Sequence, residues 1–116
     1  MNAARRRSAA IDKLEELRVV ILEHILKLSI LPKDRSVKHW QKELHSFASR
    51  LRTFNKAKAG SKTNYTRDIL WEYIWEDQYT ELPLGFVEEY GIHKFQVDLD
   101  DVKARIDAFI DQVLDA

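Results

Sequence analysis

Residues 21–44, ILEHILKLSILPKDRSVKHWQKEL, hold the end of one amphipathic helix, a proline break and the start of a second helix. Apolar residues in and before this stretch recur at steps of three and four, the spacing of one helix face. Pro32 disfavours helical angles at the residue before it, so the first helix is predicted over 9–31. Ser36 is a suitable N-cap for a second helix over 36–55. The short turn between them predicts an antiparallel helical hairpin.

The second helix carries the clearest apolar pattern of the chain. Its apolar residues alternate steps of three and four and comprise Val37, Trp40, Leu44, Phe47, Leu51 and Phe54. A stripe this narrow is typical of a helix that packs against one neighbour. We expect the following residues to face one another across the turn: Ile21, Ile25, Leu28, Trp40 and Leu44.

Two further helices are predicted in the second half of the chain. Thr66 can cap a helix over 66–80, because its hydroxyl can accept a free backbone N–H of the first turn. A last helix over 100–115 repeats the three-four apolar spacing and has Asp98 or Asp100 as its cap.

Two segments lack helical periodicity. Residues 55–64 are small and polar and predict a loop, whereas 81–97 contain Pro83 and two glycines and predict an irregular crossover. Turn residues are too scarce elsewhere for a sandwich or barrel. We therefore predict a single all-α domain over 1–116. It is a four-helix bundle built on the N-terminal antiparallel helical hairpin, with an irregular crossover before the last helix.

Composition limits the function classes. The chain has 116 residues and no cysteine, which excludes disulfides, a cysteine nucleophile and thiolate-bound zinc. No apolar run reaches the roughly 18 residues of a membrane span. The first residues, MNAARRRSAAIDKLEEL, become charged where a signal peptide would be apolar. We expect a cytoplasmic protein with no membrane contact and no cofactor, since isolated glycines cannot form a phosphate-binding loop.

The net charge of zero conceals a separation of charge along the chain. Residues 33–62 hold nine Lys or Arg against two acids, and residues 63–116 hold four against thirteen. On the second helix, the basic side chains form a stripe beside the apolar one. A stripe of this kind can follow a phosphate backbone. The residues that would bind nucleic acid are Lys38, Lys42, Arg52, Lys56 and Lys58.

Two other interpretations of the stripe stay open. It is either a solvated face, or it contacts the acidic helices of the same molecule or of a second copy. Trp40, Phe47 and Phe54 sit at core spacing, so we do not expect them to stack on bases.

Catalytic and metal-binding patterns are weak. His39 and His45 point about 120° apart on one helix, so they cannot chelate one ion as an i,i+4 pair could. Glu72 and Glu76 share a helix face, but the Glu-x-x-His partner of a bundle iron site does not occur. We therefore predict no metal site and no catalytic residue.

Arg18 and His24 are separated by five residues, and this spacing of an arginine and a histidine resembles the loose signature of the helical HEPN ribonucleases. That resemblance implies phosphate binding by the arginine and acid–base chemistry by the histidine. The alternative is that His24 is a core residue, since it lies near the apolar stripe of the first helix.

The hairpin as a whole resembles the bacterial family called domain of unknown function number twenty-nine, over about residues 17–54. The matching pieces are His24-Ile25-Leu26-Lys27, Pro32, Arg35-Ser36 and Trp40. The resemblance implies an all-helical, often cyanobacterial protein and no particular activity. The C-terminal segment from His93 departs from the family's usual ending.

These features favour a small non-enzymatic bundle that binds another protein or forms a homo-oligomer, because charge separation steers association. The first alternative is a nucleic-acid-associated protein that uses the stripe, and the second is a HEPN-like ribonuclease.

Overall fold

The computed structural model describes residues 9–55, 65–77 and 98–114 of the chain. Helix α1 spans Ala9–Ile30 and helix α2 spans Val37–Asn55. The third helix consists of an α-helical part, α3, over Arg67–Trp71, followed by a π-helical segment over Glu72–Glu76. Helix α4 spans Leu99–Leu114. The described ranges contain no strand, so the all-α class is confirmed.

Side chains at the helix starts explain where the helices begin. The Thr66 hydroxyl accepts a hydrogen bond from the backbone N–H of Ile69 at 3.1 Å, as predicted for an N-cap. Of the two predicted caps of α4, it is Asp98 whose carboxylate accepts the N–H groups of Asp100 and Asp101. Each cap satisfies backbone donors that have no partner inside the helix.

The turn between α1 and α2 is organised by Asp34 rather than by the Ser36 hydroxyl. The Asp34 carboxylate accepts the Ser36 N–H at 2.8 Å, and the Asp34 carbonyl accepts the Val37 N–H at 3.1 Å. The Ser36 carbonyl then accepts the first helical hydrogen bond, from Trp40, at 3.0 Å. Ser36 thus occupies the predicted start of the helix, and the aspartate two residues earlier makes the side-chain contact.

The two helices of the hairpin are antiparallel, as predicted, and three contacts fix their register. The Lys13 ammonium lies 5.3 Å from the Phe54 ring, His24 lies 3.6 Å from Glu43, and the Lys27 ammonium lies 5.2 Å from the Trp40 ring. Each step forward along α1 is matched by an equal step backward along α2. The three contacts are therefore mirror-related about the turn, which means that the two residues of each pair lie equally far from the turn along the chain.

Contacts between the ends of the helices complete an up-down-up-down bundle. Ser29, near the end of α1, donates to Asp101 at the start of α4 at 2.6 Å, so α1 and α4 are antiparallel. Tyr65, just before α3, donates its hydroxyl to the Ala10 carbonyl, and Asp77 lies 3.6 Å from Arg18. The third helix therefore runs in the direction of α1. This confirms the four-helix bundle predicted from the sequence.

A single apolar core lies between the four helices. All five residues predicted to face one another in the hairpin are buried. The most deeply buried side chains from the other two helices are Leu70, Ile74, Val102, Ile106, Ile110 and Val113. Two predicted segments lie outside the described residues. They are the crossover at 81–97 and the loop at 55–64, of which only Asn55 is described.

The third helix differs from the prediction of a regular α-helix over 66–80. From Glu72 to Glu76 it is π-helical, with a wider turn. Its described part ends at Asp77, whose N–H donates to the Glu72 carbonyl at 2.9 Å.

Candidate functional site

His24 is buried at the interface between α1 and α2. Its relative exposure is 7%, and its ring meets the Phe47 ring edge-on at a centroid distance of 5.4 Å. Burial lowers the pKa of His24, and the nearby Lys27 ammonium acts in the same direction. Burial disfavours the charged imidazolium, so His24 is neutral at neutral pH.

The tautomer of His24 follows from its hydrogen bond. Nδ1 lies 2.8 Å from the Val20 carbonyl oxygen, which can only accept, so Nδ1 carries the proton. Nε2 then holds a lone pair and faces Glu43 Oε2 at 3.6 Å, too far for a hydrogen bond. In the described residues, every fully buried side-chain nitrogen or oxygen has a hydrogen-bond partner. Since Nε2 of His24 has none, it is not fully buried and is in contact with solvent.

Glu43 connects the buried histidine to an exposed one. Its second carboxylate oxygen lies 2.8 Å from Nε2 of His39, whose side chain is 67% exposed. Lys42, Ser46 and Arg50 line the same shallow groove on the surface of α2. Sequence reasoning missed Glu43, although the mirror relation of the hairpin pairs position 24 with position 43.

Arg18 and His24 contact different parts of the bundle. Arg18 lies 3.6 Å from Asp77, and its guanidinium lies 5.6 Å from the Tyr73 ring. These contacts are with the third helix, whereas His24 faces α2. Because the two residues are six positions apart on one helix, they point about 120° from each other. The described residues therefore do not bring this pair together at one groove.

The predicted basic stripe divides into exposed and engaged members. Lys38 and Lys42 are exposed and form no ion pair within 9–55, 65–77 and 98–114. Arg52 instead donates from Nε to the Gln112 carbonyl at 2.9 Å, with a second contact from Nη2. That carbonyl lies in the last turn of α4, where helix carbonyls lack partners, so Arg52 acts as a cap. Lys56 and Lys58 lie outside the described residues.

The acidic side chains of α4 pair with groups other than the lysines of α2. Arg67 of α3 contacts the carboxylates of both Asp107 and Asp111, and the bond with Asp111 raises the pKa of Arg67. The Ser29 hydroxyl and then Arg105 hold the pKa of Asp101 below its usual range. These three carboxylates therefore do not neutralise the exposed lysines of α2.

Tyr65 is deeply buried just before the start of α3. Its relative exposure is 1%, its N–H donates to Asn55 Oδ1 at 2.8 Å, and its hydroxyl donates to the Ala10 carbonyl. Burial raises the pKa of the Tyr65 phenol well above its ordinary value. This cluster joins the start of α1, the end of α2 and the start of α3, so its role is structural.

In the described ranges, no three His, Asp or Glu side chains are arranged to hold a metal ion. No helix in the same ranges is both long and apolar enough to cross a bilayer.

No protein-family model, curated protein or solved structure matches the chain. The resemblance of the hairpin to the family of unknown function therefore stays a prediction.

Proposed function

We propose that the chain is a non-enzymatic helical bundle that binds an acidic surface of another protein through α2. The observation that carries this proposal is the pair of exposed cations, Lys38 and Lys42, which have no ion-pair partner in the described parts of the chain. A surface of one charge sign accelerates encounter with a surface of the opposite sign.

A partner in trans is favoured over the chain's own acidic helix. Asp107 and Asp111 already contact Arg67, and Asp101 contacts Ser29 and Arg105. The single described contact from the stripe to α4 is that of Arg52, and it reaches a backbone carbonyl rather than a carboxylate. The lysine ammonium groups thus keep their charge available to a partner.

A protein partner is favoured over nucleic acid. Trp40 and Phe47, two aromatic residues of α2, are each only 6% exposed and offer no face for base stacking. Arg52 is engaged at the end of α4.

The test is capture of partners from native lysate by the full chain, at low and at raised salt. We expect salt-sensitive capture that Lys42→Glu reduces and that Lys38→Glu/Lys42→Glu abolishes. Lys103→Glu is the matched control, because Lys103 is an exposed lysine of α4 and the change of charge is the same. Equal capture by the α2 variants and the control, or none at low salt, would overturn the proposal.

Three other outcomes identify the alternatives. Salt-sensitive retention on DNA or RNA that Lys38→Glu/Lys42→Glu abolishes, without protein capture, would replace the proposal with nucleic-acid binding. A solution mass above the monomer that falls with Lys42→Glu would make the partner a second copy of the chain. RNA cleavage that His24→Ala abolishes in a folded variant would instead establish a ribonuclease.

A further inference from the structure

A small groove opens where α1, α2 and α4 meet. Its floor is apolar and is formed by Ile25 and Leu28 of α1, Leu44 of α2 and Phe109 of α4. Its volume is about 170 Å³. An apolar cavity of about 150 Å³ holds one benzene molecule, so this groove fits a single apolar side chain. Sites for cofactors and drug-sized ligands begin at about 300 Å³, so the groove is too small for them.

The rim of the groove is polar and faces solvent. Gln41 of α2, with Gln112 and Ala108 of α4, lines the opening, and all three are exposed. Amide side chains at a rim can bond to the backbone of a bound segment, which is the usual anatomy of an interface around an apolar centre.

Two cationic side chains lie near this opening. Arg105 lines the groove on α4. On α2, Lys38 lies three residues before Gln41, so the two share a side of the helix. Arg105 is paired with Asp101, which also accepts a hydrogen bond from Ser29, whereas Lys38 forms no ion pair within the described residues.

We infer that this groove receives one apolar side chain from an acidic segment of the partner protein. The inference rests on the proposed function and adds the chemistry of the partner: an apolar anchor with a carboxylate beside it that faces Lys38. The cations attract the segment, and the burial of the anchor supplies affinity and position.

The probes are two short fluorescein-labelled peptides of Asp and Glu. One has a central phenylalanine and the other a central serine, and fluorescence anisotropy with the full chain reports their binding. We expect the phenylalanine peptide to bind about tenfold to a hundredfold more tightly, because burial of one such side chain changes affinity by about this factor.

A variant that fills the groove tests the location of the anchor. Ala108→Leu should remove most of the difference between the two peptides and leave the affinity of the serine peptide unchanged. Ala104→Leu is the matched control, because Ala104 is exposed one turn earlier on α4 and does not line the groove. It should preserve the difference.

The outcomes separate this inference from the proposed function. If both peptides bind equally and neither binds to Lys38→Glu/Lys42→Glu, the inference that the groove receives an apolar anchor is overturned. The proposal of a cationic binding surface on α2 then stands. A preference for phenylalanine that Ala108→Leu does not reduce would place the anchor elsewhere and also overturn the inference. Failure of both peptides overturns it as well, and the lysate experiment then decides the proposed function by itself.

Discussion

Replacement of His24 tests whether this residue belongs to the core or to a reaction. Its ring contact with Phe47 is worth about 0.5–1.5 kcal/mol, and its hydrogen bond to the Val20 carbonyl about 1 kcal/mol. Truncation also removes a nearly fully buried ring and leaves a cavity. We expect His24→Ala to lower the free energy of unfolding by about 2–4 kcal/mol, below the 3–5 kcal/mol of a larger buried aromatic.

His24→Phe separates packing from the chemistry of the imidazole. Phenylalanine keeps an aromatic ring against Phe47, and the Val20 carbonyl retains the backbone N–H of residue 24 as its helical partner. We expect a loss below about 1.5 kcal/mol, as for other shape-conserving substitutions. Urea unfolding followed by circular dichroism measures both variants, with the exposed His39→Ala as a control that stays within about 0.5 kcal/mol of wild type.

The pH dependence gives the same test a second, independent readout. Because burial lowers the pKa of His24, the unfolded chain binds a proton that the folded protein resists. The contribution of neutral His24 to the free energy of unfolding is fully present above about pH 6.5. It is lost as the pH falls from there through the lower pKa that His24 has in the folded protein. Val20, Lys27, Glu43 and His39 surround the ring and persist in His24→Phe. The wild-type protein should therefore lose more stability than His24→Phe over this range. The reasoning would be refuted if His24→Ala were as stable as the wild-type protein. It would also be refuted if the stability of the wild-type protein and of His24→Phe depended on pH in the same way.

Three further variants test contacts at the helix ends. Arg52→Gln should cost about 1 kcal/mol in urea unfolding through loss of the cap on the Gln112 carbonyl, whereas the exposed Arg50→Gln should cost less. Tyr65→Phe should also cost about 1 kcal/mol. Because burial raises the pKa of Tyr65, the wild-type protein should lose its greater stability over Tyr65→Phe as the pH rises above about 10. An ultraviolet difference titration against Tyr65→Phe should detect no phenolate from Tyr65 before the protein unfolds. Thr66→Ala should cost about 1 kcal/mol, and Thr66→Ser should restore most of it if the hydroxyl cap is responsible.

The helices could be predicted from the sequence because their signals are local. The three-four spacing from Val37 to Phe54 is a property of one helix face, and it placed α2 within one residue of its observed start. The Thr66 cap is local in the same way, since its oxygen bonds to an N–H three residues later. The π-helical turn at Glu72–Glu76 had no such signal, because no proline or glycine interrupts that segment.

The contacts of the candidate site depend on how separate helices meet, and a single sequence does not contain that information. Lys38, Lys42 and Arg52 have the same chemistry in the sequence. The return of α4 alongside α2 engages Arg52 and leaves the two lysines exposed. The apolar groove likewise needs Phe109 from α4 beside Leu44 from α2. Its lining residues looked like ordinary core positions because their helical spacing is the same.

The mirror-related register of the hairpin has a consequence for the order of folding. Contact between Lys27 and Trp40 closes a loop of 13 residues, and the remaining pairs can then form outward from the turn. By contrast, the contacts that hold α4 in place join residues 60 and 72 positions apart. The longest of these loops costs about 1.5 kcal/mol more chain entropy to close than the turn does. The hairpin is therefore expected to form before α4 docks. Substitutions at the Pro32 turn should slow folding, whereas Ser29→Ala, which removes the contact with Asp101 of α4, should mainly speed unfolding.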